Sequence, residues 1–237
     1  MKKVILYTSL ILNLLLIICV FILIGSSSIL SKNGLSSIQG KTDSLGVEEK
    51  RLFDEVLYDE DILFLGSNRA SYCNWNSLMG VRNICNMAIS SNTIEEDCNR
   101  IELMLDGKVP NQIFLMYGEV ELLSNRPAND IVRDYELMIS KLQDLLPQTE
   151  LIVISPIPLE YYDVEGDKDS YKENFKALNL LLKISLRNKG VSFVNLINDF
   201  MSMDGFLDYN FRTKDKLKLN RKAYAIIKER ISPYIKN

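Results

Sequence analysis

From residue 61 onward, short apolar runs alternate with longer segments of helical period, and this alternation limits the fold more than any other property of the chain. The runs over 62–65, 81–85, 112–117, 151–155 and 191–196 have the length and the aliphatic or aromatic content of strands. Helices are expected over 47–58, 68–79, 93–105, 128–146 and 171–188, with a last one over 221–235. A helix between two strands returns the chain to its starting edge, so successive strands align in parallel. The expected class is α/β: a three-layer, doubly wound, five-stranded parallel sheet of flavodoxin-like kind. Such sheets place ligand sites at the carboxyl ends of their strands.

The N-terminus follows other rules. Lys2 and Lys3 precede an uncharged run over 4–24, long enough at 1.5 Å per residue to reach about 30 Å, the depth of a bilayer core. We expect a membrane anchor over 1–25, a Ser- and Gly-rich tether over 26–46, and a domain over 47–237. The two lysines before the run, with no basic residue after it until Lys32, put the N-terminus in the cytoplasm and the domain outside. A signal peptide cut near Gly25 to Ser28, giving a secreted chain, is the competing reading.

Composition removes whole classes of chemistry. The chain has no His, so neither Ser-His nor Cys-His catalysis is open to it. A net charge of -3 leaves no polybasic surface, and no nucleic-acid partner is expected. Cys73, Cys85 and Cys98 show no metal or redox spacing, and neither a metal nor a cofactor is expected.

Polar blocks stand at the strand ends. They are Gly66-Ser67-Asn68, the stretch from Asn86 to Thr93, Gly118-Glu119-Val120-Glu121, the VISPIP stretch over 153–158, and the stretch from Asp215 to Asn220 before the last helix. In order and spacing they resemble the SGNH hydrolases, also called the GDSL esterase and lipase family. The likeness is greatest to its platelet-activating-factor acetylhydrolase-like branch and covers 61–234. The resemblance implies a nucleophile position occupied by Asn68, and Ser91 in place of a Gly whose backbone N–H serves the oxyanion. It also implies Val120 in place of an oxyanion-binding Asn, and Lys218 in place of the general base, with Asp215 kept.

An amide nitrogen is not a useful nucleophile at neutral pH, and acyl transfer needs nucleophile, base and oxyanion donors together. The expectation is therefore a catalytically degenerate, membrane-anchored protein outside the cytoplasm that binds a cell-surface glycan or assists its modification. The glycan comes from the resemblance. Asn68, Arg69, Trp75, Ser91, Asn92, Glu119, Val120, Asp215 and Lys218 are the expected ligand-facing residues. An active carbohydrate O-acyl esterase or acyltransferase built on Ser67, Ser91, Lys218 and Asp215 is one alternative. A scaffold for membrane partners is another. The insert over 160–174, with its paired tyrosines, reads as a lid or an exposed loop.

Overall fold

In the computed structural model, residues 57–59, 61–214 and 218–236 are described. The expected anchor and tether, most of the helix expected over 47–58, and Asp215 lie outside the described residues. Among the described residues, no helix is long and apolar enough to cross a membrane.

Five strands form one parallel sheet: β1 (Ile62–Gly66), β2 (Ile84–Asn86), β3 (Gln112–Met116), β4 (Glu150–Ile154) and β5 (Ser192–Val194). Their spatial order is β2-β1-β3-β4-β5, so the winding reverses direction between β1 and β3. The helices are α1 (Asn68–Ser71), α2 (Trp75–Met79), α3 (Ile94–Leu105), α4 (Glu119–Leu123), α5 (Ala128–Leu145), α6 (Lys168–Leu186), α7 (Ile197–Phe200) and α8 (Arg221–Ile231).

The two-residue period of the strands sorts their side chains into two cores. Leu63, Leu65, Ile113, Leu115, Leu151 and Val153 face one cluster, which Ile101, Met138 and Leu182 of α3, α5 and α6 complete. Ile62, Phe64, Phe114, Met116, Ile152 and Ile154 face the other, closed by Trp75, Phe200 and Ile227. Because both faces are covered, β1 and β3 are buried at every position and, Gln112 apart, read as continuous apolar runs. Local signals set the helix ends. Thr93 and Glu96 form a capping box at the start of α3. Asn220 caps α8 by accepting from the backbone N–H groups of Lys222 and Ala223.

The expected helix over 68–79 is broken in two. The Ala70 carbonyl accepts from Cys73 N, from the Trp75 indole and from Asn86 Nδ2, and Asn86 Nδ2 also donates to the Cys73 carbonyl. Asn74 then restarts the helix by accepting from Ser77 N. β2 begins at Ile84, later than expected, because the Asn76 side chain bonds both the N–H and the carbonyl of Ile84. The short helices α4 and α7 were not expected from periodicity, since four or five residues hold little more than one helical turn.

Candidate functional site

The reversal between β1 and β3 is where a doubly wound sheet opens a crevice. Two glycines mark it, and each has a packing reason to be there. A Cβ on Gly66 would stand 2.4 Å from the Met116 carbonyl oxygen and 2.7 Å from Ala70 Cβ. Gly118 has φ +112°, and a Cβ there would stand 2.7 Å from Pro156 Cγ.

From Gly66 the chain turns through Ser67 straight into α1, which delivers Asn68 and Arg69. The amide oxygen of Asn68 accepts from Ser90 Oγ at 2.6 Å and from the backbone N–H of Ser91 at 3.1 Å. Ser90 in turn lies 3.2 Å from the Tyr72 hydroxyl. Ser91 sits at φ 65°, a left-handed conformation that costs a non-glycine residue about 1–2 kcal/mol, and from there its N–H faces the turn. That N–H carries a single hydrogen. Here its acceptor is the Asn68 amide oxygen.

The expected ligand-facing residues separate into two groups. Asn68 is 2% exposed, Arg69 and Glu119 are 1% exposed, and Trp75 is 1% exposed, so these four face the interior instead. The Trp75 ring stacks on Phe64 at 4.1 Å and meets the edge of Tyr224, which leaves no face for a sugar. Arg69 donates to the carbonyls of Ile157 and Pro158 at 2.5 and 2.8 Å, and its backbone N–H donates to Glu119 Oε1 at 3.1 Å. Ser91 is exposed, while Asn92, Val120 and Lys218 are half-buried. The Asn92 amide donates to Asp97. The Lys218 ammonium stands 4.6 Å from the centroid of the Tyr72 ring, a cation–π contact that joins the segment before α8 to the turn. Ser67, the expected substitute nucleophile, is wholly buried, and its Oγ has no hydrogen-bond partner among the described residues.

Behind the turn lies an acidic layer. Glu121 occupies the end of the Gly118 block and accepts from Ile94 N at the start of α3. Burial pushes its carboxyl up to about 7, against the stabilising Ile94 bond, with the neighbouring Glu119 adding to the rise. Burial likewise lifts Asp97 to about 6, although Arg100 and the Tyr117 hydroxyl both favour its charged form. Tyr117, and Tyr224, whose hydroxyl donates to the Arg69 carbonyl, carry no signal in the sequence, because each falls inside an ordinary strand or helix pattern. Among the described residues, no three Cys, Asp or Glu side chains gather as a metal site.

No family model matches the chain, and no curated protein matches it. Solved structures do. A protein from Streptococcus pneumonia, provisionally called a platelet activating factor, aligns with a TM-score of 0.67 at 21% identity over 89% of this chain and 98% of its own. A GDSL-like lipase from Bacteroides thetaiotaomicron aligns with a TM-score of 0.65 at 16% identity, covering 81% of this chain and 96% of the lipase. An acetyl-xylooligosaccharide esterase from Geobacillus Stearmophilus, solved as a mutant, gives 0.58 at 12% identity over 75% and 94%. This chain therefore has the fold of the GDSL or SGNH lipolytic hydrolases. At these identities the likeness establishes the fold alone.

Proposed function

We propose that this chain is a non-hydrolytic protein of SGNH fold that binds a cell-surface glycan or assists its modification, held at the membrane by its N-terminal anchor with the domain outside. One observation carries the reading: the amide oxygen of Asn68 accepts the Ser91 N–H, the group that in a hydrolase of this fold would serve the oxyanion. Nucleophile position and oxyanion donor are thus engaged with each other. Losing one such donor alone costs about 10² to 10³ in rate, before the missing hydroxyl and imidazole are counted.

A Ser-Lys esterase fits less well. Among the described residues the Ser67 hydroxyl has no hydrogen-bond partner, and the Lys218 ammonium is engaged with the Tyr72 ring instead. The test uses the full chain in detergent, a chromogenic acetyl ester and an active-serine fluorophosphonate probe. Neither turnover nor labelling is expected. Labelling that disappears in Ser67→Ala or Lys218→Ala would overturn the reading and favour the esterase.

A further inference from the structure

The net charge of -3 averages two unequal parts of the chain. Residues 212–236 hold nine Lys and Arg against two Asp and Glu, and the acidic excess lies elsewhere. A balanced total therefore does not exclude a basic face. Three cations of this segment are engaged: Arg212 pairs with Glu160, Arg230 with Asp199 and Lys236 with Glu150. Lys214, Arg221, Lys222 and Lys228 are exposed and have no ion-pair partner among the described residues.

Helix α8 presents three of these charges together. Arg221 and Lys228 stand seven residues apart, two turns along one helix face, with the small, exposed Ala225 between them and Lys222 beside Arg221. Arg221 and Lys222 occupy the first turn, the end of a helix dipole that favours acids, so their placement does not serve the helix. The element against α8 adds no counter-charge: Trp75 of α2 meets Tyr224 edge-on, and the sequence from Asn68 to Thr93 contains no Asp or Glu. Around the same core, Leu78, Met79, Ile226 and Ile235 are only partly buried.

We propose that this face of α8 docks on an anionic bilayer, with its Arg and Lys side chains on the phosphodiester headgroups and the partly buried apolar residues at their edge. Each basic residue adds to such an attraction, which reaches only about 10 Å at ordinary salt. The proposal rests on the anchored reading above. Leu57 stands 32 residues after Gly25, and a chain of that length reaches at most about 110 Å, which keeps the domain within range of the bilayer. A soluble polyanion would meet the charge, but it would have no use for the apolar edge and nothing ties it to the chain. Lys218, on the Tyr72 ring, joins this face to the Asn68 turn, so docking sets the crevice beside the headgroups.

Trp75, the single Trp of the chain, packs beside α8 and serves as a native energy donor. The full chain is reconstituted from detergent with vesicles of phosphatidylcholine, alone or with about 30% phosphatidylglycerol, all carrying a dansyl-headgroup lipid; flotation and Trp-to-dansyl transfer are measured. The chain should float with both, and transfer should be about twofold higher in the anionic vesicles and return to the neutral level in about 0.5 M salt. The triple variant Arg221→Glu, Lys222→Glu, Lys228→Glu should lose the rise and keep its melting temperature, since acids suit the first turn of a helix. Equal transfer in both vesicles, or a rise that survives in the variant, overturns the docking face and leaves the anchor standing. Flotation with anionic vesicles alone, lost in the variant, supports the face and overturns the anchor. Flotation with neither overturns both. Capture of polyphosphate with no rise in transfer makes the occupant a soluble polyanion and overturns the bilayer.

Discussion

Glu121 shows how a single buried carboxyl makes this domain sensitive to pH. Burial raises its folded-state value from 4.5 to about 7, so between those values the folded chain holds a proton that the unfolded chain releases. Its contribution is fully present below the unfolded value and is lost as pH rises through about 7. The shift corresponds to about 3 kcal/mol as an order of magnitude. Asp97, lifted from 3.8 to about 6, acts in the same direction over a lower window. Glu121→Gln keeps an acceptor for Ile94 N and removes the charge. Denaturation measured from about pH 5 to 8 should show a flatter stability profile and a gain at pH 8. An unchanged slope would mean that Glu121 is not the group being titrated. Nothing in the sequence announced this. Glu119 was expected to face a ligand and Glu121 was given no role of its own, and their burial goes with Arg69 and Ile94, which come from other elements.

At the scale of elements, α2 exists because Trp75 anchors it. Its indole fills space against Phe64, which stacks in turn on Phe114 at 4.6 Å, and donates to the Ala70 carbonyl at 3.1 Å. Trp75→Ala should cost about 3–5 kcal/mol, read as a lowered urea midpoint by circular dichroism, while Trp75→Phe should recover part of the loss. A midpoint shift below about 1 kcal/mol would return Trp75 to the surface role expected from its neighbours in sequence. The strands and the long helices α3, α5 and α6 were legible, because burial on both faces and a sustained helical period leave their marks within ten or twenty residues. The break at 72–74 was not. It needs Asn86, more than one element away, to take the carbonyls of Ala70 and Cys73. Arg69 misled for the same reason: the carbonyls it serves lie 88 and 89 residues further on. Exposure of a polar side chain near a strand end is a tertiary property, and local pattern cannot assign it.

For the whole molecule, the consequence to measure is the N-terminal anchor. The anchor proposal is tested by alkaline extraction of membranes carrying the full chain. The protein should stay in the pellet with its first residues intact, and a soluble chain beginning after Gly25 would favour a cleaved signal instead. The motif blocks matched the architecture. Gly66 and Gly118 matched the resemblance, yet their reason for being glycine is the 2.4 Å and 2.7 Å approaches that any Cβ would meet. A demand of that kind belongs to folding and persists whether or not a reaction takes place beside it. Selection for a stable chain is enough to hold both positions. Glycines at these two strand ends are thus a record of steric necessity, and counting them toward an activity credits the reaction with what the sheet already requires.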